Sequence, residues 1–466
     1  MTTRSVNVIV EDFLNQIGWG KYQNIMALQC GLAWTTTQMW EVLIGLLLGL
    51  VADDWNLSIQ MEGYLATSMQ LGIMMGSYIW CYLSDRFGRM FSFKKSAVLL
   101  TLTSFLLIFS PEYYSFLVFL FFMGFSIGGE LTVGGAVFSE FCPPKDINKL
   151  ASLSFTWGVG GVFAALIGIF CTEQNFLPIT SWRIMIAIAF LYEFCIMCFR
   201  FKMDETPFYL GCSGNIDKAE KIIEKIAKTN NYNLQKPLVL QTHIEYGENN
   251  KKSILGLLKL LFSEKYTKNS IFFAFIYFFL ASGYTNMLYF MPLFLDGYSL
   301  TERYLIIMLQ QMCAIPGTIV SSYLCKSSLG SKHTLSIGIL FSAIFCILFY
   351  MANEFATILT FTSLLILVIM LAYGTLYMIT PESYPIEIKS TGCGWSNACG
   401  RTGGLLTPIA TGWLLSMNNG KPIVLALCSL YFLISGISSF FIQESKMLNK
   451  GSLFIYEKID ISMQPN

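Results

Sequence analysis

The sequence predicts an all-α membrane protein of twelve transmembrane helices arranged as two pseudo-symmetric six-helix halves, and three observations carry that prediction. The composition is 54% hydrophobic and only 13% charged, with a mean hydropathy of +0.57, which does not suit a water-exposed surface. Apolar runs such as Trp182 to Phe199 and Ile271 to Leu295 approach or exceed the roughly 20 residues that cross about 30 Å of hydrocarbon as a helix. Lipid tolerates only helices or closed barrels, and continuous apolar runs exclude barrel strands. Finally, the chain repeats itself. Glu140 and Pro143 return 242 positions later as Glu382 and Pro385, and the same shift carries Gly88, Gly158 and Gly161 onto Gly330, Gly400 and Gly403. A parallel repeat of two halves about an axis along the membrane normal places a substrate near the midplane between them.

Hydropathy, punctuated by Gly, Pro and charge, centres the spans near residues 42, 71, 101, 125, 161 and 191 in the first half. In the second half the centres fall near 281, 313, 342, 367, 404 and 432. The second, eighth and eleventh are the least apolar, and their small and polar residues suit a bundle interior or a cavity wall. These spans divide the chain into an N-terminal segment (1–30), a first half (31–201), a linker (202–268), a second half (269–443) and a tail (444–466). The residues up to about Cys30 are too polar for a cleavable signal peptide, so the first span is expected to direct insertion itself.

Lysine and arginine sort by side. Arg86, Arg89, Lys94, Lys95, Lys145, Lys149, Lys326, Lys332, Lys389, Lys446 and Lys450 share one face, whereas the alternate loops hold Asp53, Asp54, Glu112, Glu173, Asp296 and Glu354. The basic face is expected to be cytoplasmic, with both termini on it. The linker stretch "NIDKAEKIIEKIAKTNN" sets Ile222, Ile223 and Ile226 against Lys and Glu, the spacing of an amphipathic helix in a solvated connection.

"SDRFGRMFSFKK", Ser84 to Lys95, concentrates charge between two apolar spans. Together with "GLAW" (Gly31 to Trp34), "GFSIGGE" (Gly124 to Glu130), "DETPFYL" (Asp204 to Leu210), "PESYPIEIKSTG" (Pro381 to Gly392) and "ACGRTGGLLTP" (Ala398 to Pro408), it resembles the major facilitator superfamily. Within that superfamily the motifs look like the synaptic-vesicle-2-related branch of organic-ion and metabolite carriers. The resemblance implies a secondary-active, proton-coupled transporter working by alternating access, either in the plasma membrane or in an intracellular vesicle membrane. The chain departs from the pattern in four places. The second-half loop is reduced to "SSLGSKH", Ile147 stands where relatives often have Arg, "DETPFYL" lacks the usual Arg after its Pro, and "TTTQ" (Thr35 to Gln38) replaces the first-span acid.

The charged loop reads as a cytoplasmic latch. Gly88 allows a tight bend, Asp85 can accept bonds from Arg89, and Arg86, Glu140, Glu382 and Lys389 complete a network expected to stabilise the outward-facing state, held mostly by the first-half cluster because the second-half loop is eroded. Inside the membrane, an ionisable group needs a cavity or a partner. Arg401 lies twelve residues beyond Lys389, about 18 Å of helical rise, and is suited to clamp a carboxylate. Glu130 lies ten residues from Glu140, about 15 Å, and Glu41 stands one turn beyond the lost acid. Both are candidate titrating groups. Glu193 lies in the sixth span, which the resemblance implies is a scaffold helix, and reads as structural. Tyr284, Asn286 and Tyr289 on the seventh span and Trp395 and Asn397 on the eleventh are candidate cavity residues, against core packing as the alternative.

Other classes are excluded or disfavoured. There is no Walker-type phosphate loop, no nucleic-acid patch and no Ser/His or metal constellation within the spans, so neither an enzyme nor a cofactor is expected. The 13 Cys, including Cys195 and Cys198, are scattered through apolar segments and read as buried thiols. The expected partners are a small-molecule substrate, protons and the lipid bilayer, for a monomeric carrier. Arg401 argues for an anionic substrate and the two acids for a cationic one. A facilitative uniporter and a non-transporting receptor with the carrier fold remain open alternatives.

Overall fold

A computed structural model describes residues 6–146, 153–173, 181–233, 259–384 and 388–443. Twelve long helices carry the first half as α2 (Lys21–Trp55), α3 (Ile59–Phe87), α4 (Arg89–Ile108), α5 (Tyr113–Phe141), α6 (Phe155–Glu173) and α7 (Ser181–Arg200). The second half is α10 (Thr267–Phe294), α11 (Leu300–Lys326), α12 (Gly330–Met351), α13 (Phe355–Glu382), α14 (Lys389–Leu415) and α15 (Gly420–Ser439). Each contains one of the expected span centres. Three shorter helices, α1 (Val6–Ile17), α8 (Pro207–Cys212) and α9 (Ile216–Thr229), lie at the end of the bundle that holds the linker.

The breaks follow local chemistry. Asn56 in the left-handed conformation stops α2, and Ser58 caps α3 by accepting from the Met61 N–H. Ser299 and Glu302 form a reciprocal capping box at α11. Gly88, at φ +117°, separates α3 from α4 in one residue.

Ten of the twelve helices are long and apolar enough to cross a membrane by themselves; α3 and α14 are not in that group. Two of the three weakest spans are thus identified, while α11, the third, is apolar enough. The reason is location. Across the middle of the molecule α3 packs on α14, so closely that a Cβ at Gly63 would lie 2.7 Å from the Pro408 carbonyl oxygen. Small residues replace apolar bulk where backbones approach.

Contacts between the halves run along three seams, α3 with α14, α6 with α11, and α2 with α10. Exchanging the halves turns the second span into the eighth and the eleventh into the fifth, so the first two seams interconvert and the third maps onto itself. The repeat read from the sequence is therefore a structural two-fold.

Within the first half, "GIMMG" (Gly72 to Gly76) on α3 meets "GFSIG" (Gly124 to Gly128) on α5. Added Cβ atoms at these glycines would run into the backbone carbonyls of Phe121, Phe125, Met69 and Ile73. Ser68 Oγ donates to the Leu117 carbonyl at 2.8 Å in the same seam.

The linker helix is not solvated on its apolar face. Ile223, Ile226 and Ala227 of α9 are buried in a second core with Val10, Leu14 and Ile17 of α1 and with Phe138 and Phe141 of α5. The amphipathic spacing is as expected, but the partner is the rest of the protein: α1 and α9 cap the linker end of the first half.

Candidate functional site

A cavity of about 670 Å³, including the part open to solvent, lies between the halves at mid-helix depth. From α2 it takes Gln38 and Glu41, which a three-residue spacing sets on one face, and from α3 Gln70. Tyr284 of α10, Tyr373 and Tyr377 of α13, and Asn397 and Arg401 of α14 form the opposite wall. The preceding threonines turn away: Thr35, Thr36 and Thr37 each donate to a carbonyl of their own helix.

The tyrosines form a continuous aromatic wall. The ring centroids of Tyr284 and Tyr373 are 5.6 Å apart, those of Tyr373 and Tyr377 are 6.1 Å apart, and Trp157 of α6 meets Tyr377 edge-on at 6.5 Å. Two amides hold this wall across the halves. Gln38 Nε2 donates to the Tyr284 hydroxyl at 2.9 Å, and Gln70 Nε2 to the Tyr289 hydroxyl at 2.8 Å.

Glu41 and Arg401 are the only charged side chains among the described residues of the lining, and they come from opposite halves. Glu41 is 8% exposed. Among the described residues neither makes a hydrogen bond or an ion pair, although the charge of Arg401 reaches Glu41. A guanidinium is permanently cationic, and leaving it unpaired at mid-helix is costly unless water or a ligand reaches it.

The cavity is shut at the end away from the linker. There Tyr304 donates its hydroxyl to the Leu46 carbonyl at 3.4 Å, and a Cβ at Gly45 would lie 2.5 Å from the Leu288 carbonyl oxygen. The lining instead descends toward the linker end, past Asn397, Leu131 and Trp157.

Of the candidates read from the sequence, Glu41, Tyr284, Asn397 and Arg401 come together here. Tyr289 sits just beyond, on Gln70. Asn286 is fully buried and faces away, donating to Cys428 Sγ at 3.2 Å and accepting from the Thr411 hydroxyl. Two residues along a helix are about 200° apart, so Tyr284 and Asn286 cannot share a face. Trp395 donates its Nε1 to the Ser270 carbonyl at 3.2 Å and packs on Phe262 near the linker end of the second half.

Glu130 is placed elsewhere too. It is fully buried inside the first half, where Arg200 of α7 grips both its oxygens and itself lies 4.4 Å from the Phe93 ring centroid. Glu193, also fully buried, lies within electrostatic reach of both and beside the Thr36 hydroxyl, with no cation of its own. Depth along a helix was legible from the sequence but azimuth was not: Leu131, one residue on, faces the cavity.

At the linker end the charged loop is assembled as a cluster. Arg89 pairs with Asp85, donates its Nε to Glu140 at 2.8 Å, and reaches Ser84 Oγ at 3.1 Å. The cluster's other partner is "DETPFYL". Glu205 accepts from the backbone N–H groups of Arg89 and Met90 at the start of α4, Thr206 Oγ1 donates to Glu140 at 2.6 Å, and the Tyr209 hydroxyl donates to the Arg86 carbonyl at 3.1 Å. Burial holds the Glu205 carboxyl above its ordinary range, against the pull of those backbone N–H groups.

The bonds named here lie within the first half and the start of the linker, the half expected to carry most of the latch. Glu382 is exposed at the linker end of α13, in the other half, and the side chain of Lys389 lies outside the described residues. The physical reason is reach: the chain after α7 folds straight back onto the α3–α4 turn, and Glu205, just before α8, satisfies the α4 N-terminus locally. Gly88 is required twice over, by its φ and because a Cβ there would lie 2.5 Å from Glu205 Oε2. Gly88→Ala is expected to destabilise by about 1–3 kcal/mol, more than Gly330→Ala, whose Cβ would meet open space; thermal unfolding of the purified variants checks this.

The Major Facilitator Superfamily profile matches residues 30–408. The niacin transporter NiaP of Acinetobacter baylyi is 26% identical over 404 residues, covering 86% of this chain and 89% of that protein. The synaptic vesicle 2-related protein of Rattus norvegicus is 26% identical over 461 residues, covering 93% of this chain and 80% of its own. Among solved structures, the xylose transporter XylE from E. coli in a partially occluded inward open conformation matches with a TM-score of 0.73 at 16% identity, over 91% of this chain and 99% of that one. At that identity the likeness shows the fold. A profile match across most of the length, on twelve helices related by a two-fold around a central cavity, means that this chain belongs to the Major Facilitator Superfamily of multi-pass membrane transporters.

Proposed function

We propose that the protein is a proton-coupled symporter of small organic carboxylates, which bind in the central cavity on Arg401. The carrying observation is a permanent cation lining that cavity without a protein partner among the described residues. A planar guanidinium offers a carboxylate two parallel hydrogen bonds. Niacin, named for the Acinetobacter relative, is a carboxylate on an aromatic ring, and the tyrosine wall beside Arg401 suits such a ring.

Glu41 supplies the coupling. When an anion occupies Arg401, the cavity's remaining charge is the Glu41 carboxylate, and taking up a proton there restores neutrality. The halves then rock about the α2–α10 seam, opening the cavity to one side at a time. With the basic linker end facing the cytoplasm, both termini are cytoplasmic and the conformer described is inward-facing. The carrier acts as a monomer in the plasma membrane or a vesicle membrane, has no enzymatic activity, and keeps the Asp85–Arg89–Glu140 cluster, with Arg86 and Gly88, as the brace of its inner rim.

Reconstitution tests this. Proteoliposomes under an acid-outside gradient are expected to accumulate nicotinate or benzoate. Arg401→Ala is expected to weaken binding of both by about ten- to a hundredfold. Uptake indifferent to the gradient would make the protein a uniporter, and binding without accumulation would make it a receptor.

A further inference from the structure

We propose that Glu41 is an interchangeable acceptor: it takes a proton when the cargo is a plain carboxylate, and the cargo's own cationic group when the cargo is a zwitterion. The cavity then binds ammonio-carboxylates as well as simple organic anions, and couples a proton only to the anions. This inference rests on the reading of Arg401 as the carboxylate clamp.

The argument begins with a count of charge. The lining holds one acid and one base, with no other charged side chain among its described residues. With Glu41 ionised, the empty cavity is neutral. A carboxylate bound to Arg401 adds one negative charge that nothing fixed in the wall offsets. A zwitterion adds none, and presents its own cation to the one carboxylate available.

The wall around Glu41 suits either occupant. Arg401 of α14, Tyr284 and Tyr289 of α10 and Tyr377 of α13 are the titratable or charged groups that face it. From α3, α5 and α6 the lining contributes Gln70, Leu131 and Trp157, none of them charged. Among the described residues no side chain donates to Glu41, so neither a proton nor a cation has to displace a protein partner. Aromatic faces beside a carboxylate are a setting in which an alkylated ammonium is held well, by ring quadrupole and charge together. Because the two hydroxyls at Tyr284 and Tyr289 are engaged by Gln38 and Gln70, those rings are fixed in place before the cargo arrives.

The proton balance is simple. For an anionic cargo the proton comes from the water of the compartment facing the cavity, is held on the Glu41 carboxyl during the rocking step, and is released on the other side. For a zwitterion no proton is bound, because the cargo's cation already neutralises the carboxylate.

The test uses isosteres that differ in a single atom. Trimethylammonioacetate and tert-butylacetate have the same shape, one with N⁺ and one with C, and gamma-trimethylammoniobutyrate with its carbon isostere provides a longer pair. Binding to the purified full chain is measured by calorimetry between about pH 6 and about pH 8, where the free carboxylates stay ionised. Tert-butylacetate is expected to lose affinity by up to about tenfold per pH unit as pH rises, the signature of one co-bound proton. The ammonio compounds are expected to be nearly flat with pH, and at the upper pH at least one of them should bind about tenfold or more tighter than its isostere. Glu41→Gln is expected to abolish both the slope and the preference.

Equal affinities and equal slopes within both pairs, in the wild-type protein alone, would overturn the proposal while leaving Arg401 as the clamp. If no carboxylate binds, or if Arg401→Ala leaves binding unchanged, the carboxylate-carrier reading fails together with it.

Discussion

Glu130→Gln and Glu193→Gln are each expected to give a folded protein, whereas the double variant is expected to lose about 3–5 kcal/mol. The reason is the ratio of charges. Arg200 is 2% exposed and Glu130 and Glu193 are fully buried, so one guanidinium serves two carboxyls in a space that water does not reach. Ionising both acids would bury a net negative charge; the arrangement is neutral only if one of them keeps its proton. Glu130, bonded through both oxygens, is the acid that Arg200 holds, and Glu193 is the spare. When Glu130 becomes an amide, Glu193 can ionise and take over the cation. When both become amides, Arg200 is stranded. Thermal unfolding of the four proteins in detergent measures the cycle. A double-variant loss equal to the sum of the single losses would disprove the sharing, since independent sites add to within about 0.5 kcal/mol.

Gly76→Leu is expected to have an effect at least as large. A Cβ at Gly76 would run into the carbonyl oxygen of Phe125, and its partner Gly124 is equally tight against Met69. Both obstacles are backbone, so no side chain can swing aside and α3 must separate from α5. Overpacking of a close seam typically costs about 1–3 kcal/mol, and more where only backbone can yield. In a membrane, helix association draws on this packing rather than on exclusion of water. The expected result is a marked fall in monodisperse protein on size exclusion. Gly49→Ala is the control: nothing lies within 4 Å of its Cβ, and it should behave as wild type or slightly better.

Much of this was legible in the sequence because lipid imposes a strong and simple pattern. Each span centre falls inside a helix, and Arg401 and Glu41 were identifiable from depth alone, as charges too far from any rim to be loop residues. Azimuth was less legible. Glu130 is at a comparable depth yet faces the interior of its own half, and Asn286 differs from Tyr284 by a little over half a turn. Tyr373 and Tyr377 were missed because two tyrosines one turn apart look like packing in a chain with 23 of them; their signal was the i, i+4 spacing within the otherwise aliphatic α13. Gln38 was read only as part of the stretch that replaces the first-span acid, and Gln70 was missed because a lone amide in a weak span looks like tolerated polarity. Arg200 carries no signal in the sequence, since a base at the end of a span has no marked partner until the fold sets it beside Glu130. The linker had the right period, but periodicity does not say what an apolar face meets.

The charges that face the cavity sit on different halves of the protein, Glu41 on the first and Arg401 on the second. A cargo with an anionic end and a cationic end would therefore be a tether as well as a passenger, tightening as the walls approach and slackening as they part. An occupant of that kind is drawn best by the closed, intermediate shape, so the same molecule that is carried also lowers the pass between the two open ones.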